Sequence, residues 1–247
     1  MRAGSALLVG GASALDAVVA AVALLEDDGS LNAGRGAVAT SAGRVELSAS
    51  VMDGASSRVG AVAVVGERRH PIELARRVLD EGRHVLFAGP AADALAVEWA
   101  TTALAPAMAP SDELGTVGAV ALDREGHLAA ATSTGGVHGQ HPGRIGDSPV
   151  VGAGTWADDR TCAVSATGDG DLFLRAAFAH DVHARMLYAH ATLDAACAGA
   201  LEAVRALGGR GGCVAVDRAG YVAMPFTSAS MLRAWAVAGH DVTTAVT

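Results

Sequence analysis

Two apolar runs, TVGAVALD (116–123) and HLAAATST (127–134), are separated only by Arg124-Glu125-Gly126. Strands joined by so short a turn must pair antiparallel. GGCVAVDRAGYVAMPF repeats the pattern, turning over Arg218-Ala219-Gly220. Around these hairpins lie segments of helical spacing. ALDAVVAAVALLEDD follows Ser13, a good N-cap, and repeats Ala17, Ala20, Ala21, Leu24 and Leu25 on one face. PIELARRVLDEG runs from Pro71 to Gly82, the usual helix start and stop. PAADALAVEWATTAL, DGDLFLRAAFAHDVHARMLYAH and TLDAACAGALEAVRALGG also read as helices. VGAVAVVG (59–66) and TCAVSAT read as strands, and VATSAGRVELSAS as two short strands meeting at Ala42-Gly43. Antiparallel strands with helices to cover their faces predict an α+β fold, helices outside and sheets inside, rather than a doubly wound sheet. APAMAPSDEL, with Pro106 and Pro110 and no periodicity, reads as an exposed linker.

Half of the 247 residues are apolar but only 4% are aromatic, so Ala, Val and Leu must build the core. All 18 basic residues are Arg, which excludes a Lys nucleophile, a Schiff base or a phosphate-loop lysine. A net charge of −8 without a basic run argues against nucleic-acid binding. Cys162, Cys197 and Cys213 lack CxxC spacing and read as small buried hydrophobes in a reducing compartment. Gly10-Gly11 and Asp16 interrupt what would otherwise resemble a signal peptide, and no apolar stretch is long enough to span a membrane. The expectation is a cytoplasmic protein.

Thr116 follows Gly115 and opens a strand. As an internal residue it needs a base before it can act as a nucleophile. Cleavage of the Gly115–Thr116 bond would supply one, because the freed α-amine has a reference pKa of ~7.7–8.0. Taken alone, Gly-Thr is also an ordinary strand start. Its surroundings add chemistry. Thr134 ends the partner strand on the same side of the hairpin. Arg144 and Asp147 share a glycine loop, HPGRIGDSP, and suit the carboxylate and ammonium of an amino acid, although a loop ion pair is the plainer alternative. Thr167-Gly168-Asp169-Gly170 turns from a strand into a helix, where backbone N–H groups can meet an oxyanion. His138, His141, His180, His183 and His190 lack the spacing of a zinc hydrolase motif and read as packed or solvated rings.

These pieces, in this order, resemble the plant-type L-asparaginase and isoaspartyl peptidase family of N-terminal nucleophile hydrolases. The matching text is LNAGRGAV, ASVMDG, GTVGAVALD, AAATSTGG, PGRIGDSPVVGAGTWAD and AVSATGDGD, with weaker support from GGRGGCVAVD and MPFTSASMLRA. The resemblance covers nearly the whole chain. It implies one domain in a four-layer αββα sandwich, cut into 1–115 and 116–247, the halves staying together and pairing as a dimer. Thr116 would be the nucleophile and Thr134 its neighbour. Arg144 would take the substrate carboxylate and Asp147 its amine. Thr167 and Gly168 would form the oxyanion hole, Gly170 would line the pocket, and Asn32 would support the site. No cofactor is required. Leu25, Glu26, Asp28, Leu31, Ala33 and Arg35 would correspond to a loop holding a structural sodium ion through backbone carbonyls. The implied substrates are L-asparagine and β-aspartyl dipeptides. The sequence departs from the family pattern in four places. The usual first strand, with its His-Gly-Gly-Ala-Gly-like segment, is missing before the first long helix. Ser48 stands where Asp is usual, Leu114 where His or Asp is common, and VHGQH where Asn or Lys is common. An uncut chain would instead be an inactive homologue or a binding scaffold, and a metal-dependent hydrolase is a more distant alternative.

Overall fold

The computed structural model describes residues 1–66, 70–103, 115–237 and 240–247. The linker-like APAMAPSDEL, with Leu114, lies outside the described residues. The first described element is a helix, α1 (Arg2–Val9), which Gly10-Gly11 separates from α2 (Ala14–Glu26). Ser13 caps α2, its Oγ accepting the Asp16 N–H at 3.1 Å. There follow β1 (Leu47–Asp53), β2 (Val59–Val65), α3 (Pro71–Glu81), β3 (Leu86–Ala88) and α4 (Pro90–Glu98). Gly82 ends α3 in the left-handed region, φ 71°, which glycine adopts without steric cost. The hairpin is β4 (Val117–Leu122) with β5 (Leu128–Thr134). Next come β6 (Thr155–Ala157), β7 (Cys162–Gly168), α5 (Gly170–Ala176), α6 (Phe178–Ala189) and α7 (Leu193–Ala206). The chain closes with β8 (Gly211–Asp217), β9 (Val222–Ala223), β10 (Arg233–Trp235) and β11 (Thr243–Ala245).

Some expectations shift. VATSAGRVELSAS supplies one isolated bridge, Ala39 to Val45, and then the longer β1. The helix after Gly170 breaks in two at left-handed Ala177, φ 46°. The helix from Pro90 stops at Glu98, just before left-handed Ala100. β3 pairs parallel with β2 across α3, a local exception in an otherwise antiparallel sheet. No helix among the described residues is long and apolar enough to cross a membrane.

A first sheet has the order β3-β2-β1-β5-β4, a second has β6-β7-β8-β9, and β10 pairs with β11 in a separate two-stranded ribbon. Helices α2 and α3 pack on the first sheet, α6 and α7 on the second, and the sheets pack on each other. Alternation along the strands sorts the residues. On β5, Ala129 and Ala131 belong to the helix-side core, while Leu128 and Ala130 face the second sheet. Thr132 and Thr134 therefore continue the face between the sheets. On β4, Val117 and Ala121 point to the helices, which leaves Gly118 on that same inner face. A Cβ on Gly118 would come within 1.9 Å of Ser165 Oγ on β7 and 3.0 Å of the Ala131 carbonyl. No side chain fits there. The sheets thus approach closely just beyond Thr116.

The substitution Gly118→Ala is expected to lower stability by about 1–3 kcal/mol through overpacking between the sheets. Urea unfolding followed by circular dichroism measures it; an unchanged midpoint would show that the close approach is not needed.

Candidate active site

Thr116 sits one residue before β4, and Val117 pairs with Ser133 on β5. That register sets Thr116 beside Thr134. Thr116 Oγ1 donates to Thr134 Oγ1 at 3.1 Å, and Thr134 Oγ1 also accepts the Gly136 N–H at 3.0 Å. Ser148 Oγ lies 3.5 Å from Thr116 Oγ1. Sequence reasoning missed Ser148, whose only signal was its place directly after Asp147. Beneath these groups runs a buried hydroxyl chain. Ser50 Oγ donates to Thr155 at 2.7 Å, Thr155 to Thr132 at 2.6 Å, and Thr132 meets Ser165 at 2.7 Å. Hydroxyls paired in this way remain satisfied away from water.

Asn32 reaches the site from the N-terminal half. Its Nδ2 donates to the Gly136 carbonyl at 2.7 Å and its Oδ1 accepts the Val38 N–H at 3.1 Å. The Gly135 N–H returns to the Asn32 carbonyl at 3.0 Å. A Cβ on Gly135 would lie 2.5 Å from Asn32 Oδ1, so the contact requires glycine. Asn32 thus fixes the turn that carries Thr134.

Thr167 and Gly168 end β7 opposite Gly212 and Gly211 of β8. Thr167 Oγ1 is 3.1 Å from where a Cβ on Gly115 would stand, which brings this turn against the Gly115–Thr116 junction. Gly115 is exposed. A Cβ on Gly168 would strike the Arg210 carbonyl at 2.4 Å.

Arg144 and Asp147 converge on Gly170. A Cβ there would lie 2.6 Å from Asp147 Oδ1 and 3.2 Å from Arg144 Nη2, so any side chain would fill the space between them. Arg144 is held from two sides, by Asp171 Oδ2 at 2.7 Å and by Gln140 Oε1 at 3.0 Å. Neither partner was found from sequence; Gln140 lies in the divergent VHGQH stretch. Asp147 is buried at 4% exposure, and its Oδ2 has no hydrogen-bond partner among the described residues. Burial pushes its carboxyl up to about 7, against its own and the Ser148 backbone N–H groups and the Arg144 charge. A buried carboxylate oxygen without a donor is a place for a cation such as an ammonium.

The loop after α2 is compact. A Cβ on Gly36 would meet the Leu31 and Gly29 carbonyls at 2.2 and 2.7 Å, and one on Gly34 the Glu26 carbonyl at 2.6 Å. The Asp28 carboxylate accepts from Ser30. The Glu26 side chain turns away, fully buried, to His70 Nδ1 at 2.8 Å and the Ile72 N–H at 3.1 Å. Burial raises the Glu26 carboxyl above its ordinary value, and the Glu26 charge raises His70 although burial opposes it. In this loop the Leu25, Asp28, Leu31 and Ala33 carbonyls already accept backbone N–H groups, so a hard cation there would use their remaining lone pairs. Among the described residues no grouping of His, Cys, Asp and Glu could hold a metal ion. His183 is buried, 2.6 Å from Thr161 Oγ1, and His180 packs edge-on against Trp156.

A family model described as asparaginase matches residues 1–111 and 100–246. The chain belongs to the asparaginase family. It is 44% identical to an isoaspartyl peptidase of Salmonella typhimurium, over 100% of this chain and 88% of that protein. It is 43% identical to an isoaspartyl peptidase of Escherichia coli, over 98% and 85%. It is 39% identical to a plant-type L-asparaginase of Pyrobaculum calidifontis, over 96% and 87%. These asparaginase-family relatives match on both sides of Gly115-Thr116.

The Asp147 carboxyl has a consequence for stability. Its folded value is about 7, whereas an unfolded Asp titrates near ~3.9. Between those values the folded chain holds a proton that the unfolded chain has lost, so this group makes stability fall as pH rises from about 4 to 7. Asp147→Asn is expected to remove that fall, and to raise the melting temperature at pH 8 more than at pH 4. Parallel melting curves at the two pH values test this; an equal shift at both would refute it.

Proposed function

We propose that the chain is an amidohydrolase of L-asparagine and β-aspartyl dipeptides whose nucleophile is Thr116, freed by self-cleavage after Gly115. The segments 1–115 and 116–247 then remain one N-terminal nucleophile hydrolase domain of four-layer αββα type, paired as a homodimer. One observation carries the reading. The Thr116 and Thr134 hydroxyls, the Thr167 turn and the Arg144–Asp147 clamp gather about the end of β4, with one Asp147 oxygen unpartnered among the described residues.

In the cut, Thr116 Oγ1 attacks the Gly115 carbonyl carbon. The acyl group shifts from nitrogen to oxygen, so the C–N bond breaks and the Thr116 amine is freed as the ester forms; water then hydrolyses the ester, releasing the Gly115 carboxylate and restoring the Thr116 hydroxyl. In turnover, that amine takes the hydroxyl proton as Oγ1 attacks the side-chain amide carbon. Arg144 holds the substrate α-carboxylate, exchanging Asp171 for it, and Asp147 holds the α-ammonium. Thr167 and Gly168 stabilise the oxyanion. The departing nitrogen receives the proton and leaves as ammonia or as an amino acid. Water then hydrolyses the β-aspartyl ester on Thr116. A sodium ion held by the backbone oxygens of Leu25, Glu26, Asp28, Leu31, Ala33 and Arg35 would stiffen the loop beside Asn32.

Denaturing gel electrophoresis with N-terminal sequencing is expected to show two fragments, one beginning at Thr116. Thr116→Ala should give one uncut chain and no turnover. A single chain in the wild type, or asparagine hydrolysis by the variant, sinks the proposal. The pH profile adds a second test. The Thr116 amine at ~7.7–8.0 and the Asp147 carboxyl at about 7 must both be deprotonated. Below both values kcat/KM should therefore fall by close to a hundredfold per pH unit, rather than tenfold. Asp147→Asn should raise KM for L-asparagine about 10- to 150-fold and restore the single-proton slope.

A further inference from the structure

Beyond β9 the C-terminal ribbon of β10 and β11 walls a second pocket of about 460 Å³, lined by Met224, Pro225, Phe226, Arg233, Trp235 and Ala245. Arg233 and Trp235 are two residues apart on β10 and so share a face, with Ala245 opposite Arg233. The Arg233 guanidinium stands over the Phe226 ring, its Cζ 4.5 Å from the centroid. Its Nη1 is buried and has no hydrogen-bond partner among the described residues. A buried guanidinium N–H without an acceptor is costly unless something fills the place.

Strand register sets this pocket beside the catalytic turn. Ser165 of β7 meets Thr132 of the first sheet, so Ser165 and Thr167 face the space between the sheets. Thr167 pairs with Gly212, and Gly212 bridges to Phe226. Directly opposed residues share a face, and Phe226 Cβ would be 2.6 Å from a Cβ on Gly212. Phe226 thus projects to the same side as Thr167, two strand spacings or roughly 10 Å away. The Arg233 guanidinium lies over the Phe226 ring. On the proposed reading, Arg144 and Asp147, gathered about Gly170 just after that turn, take the aspartyl half of a substrate.

We infer that Arg233 binds the α-carboxylate of the amino acid that leaves when a β-aspartyl dipeptide is cleaved, and that Phe226 and Trp235 pack its side chain. The inference rests on the proposed reaction, in which the departing group carries that carboxylate. L-Asparagine releases ammonia and leaves this pocket unused.

The test compares β-aspartyl-leucine with β-aspartyl-leucinamide, which lacks the carboxylate, in the wild type and in Arg233→Gln. In the wild type the dipeptide should exceed the amide in kcat/KM by about tenfold or more, the scale of a charge-assisted hydrogen bond. In the variant that preference should vanish, with the ratio of dipeptide to L-asparagine turnover falling by a similar factor. A wild type that cleaves both compounds equally overturns the subsite and leaves the proposed function standing; this comparison needs no variant to fold. A wild type that hydrolyses neither L-asparagine nor the dipeptide overturns the proposed function and this inference with it. Equal losses on L-asparagine and dipeptide in the variant would assign Arg233 a structural role instead.

Discussion

The close approach of the two sheets at Gly118 governs the rest of the molecule. Thr116 and Thr134 belong to one sheet, and Thr167 ends a strand of the other. Sheets at the usual spacing of ~10 Å would hold these groups too far apart to act on one amide. Gly118 admits Ser165 from the second sheet, and the small residues around it keep the gap narrow. The hydroxyl chain from Ser50 to Ser165 fills that gap with polar groups that satisfy one another.

The charged end of the site works by contrast of environment. Arg144 is partly open to solvent and keeps the exposed Asp171 as a partner it can give up. Asp147 is buried and relieved by Arg144 only through space. The carboxylate is kept in a place where its charge is costly until a cation arrives. Gly170 holds the volume between the two open. On the proposed reading, a ligand carrying both an ammonium and a carboxylate would complete this incomplete solvation.

The sequence carried the long elements well, because the hairpins and capped helices are local patterns. Ser13 and Gly82 mark helix ends by chemistry that needs no tertiary information. β3, β6, β10 and β11 are too short to show alternation, and their pairing is decided by what they lie against. The site divides similarly. Thr116, Thr134, Arg144, Asp147 and Thr167 stand out by residue type and motif. Ser148, Gln140 and Asp171 acquire a role only when folding brings them to Thr116 or Arg144. Glu26 shows the limit most clearly, since it ends α2 among the residues expected to hold sodium while its side chain is spent on His70.

A cut after Gly115 is compatible with this architecture because the break does not fall between separable bodies. β5, from the second segment, pairs on one side with β4 and on the other with β1 from the first, so one sheet spans both pieces. Helix α2 of the first segment packs across β4 and β5 of the second. Asn32 ties the first segment to the turn after Thr134. A new terminus at Thr116 would therefore stay in register through its own strand. The ladder that aligns Thr116 with Thr134 is also what would hold the pieces together. The constraint that prepares the bond for cleavage is then the one that keeps the cleaved site assembled.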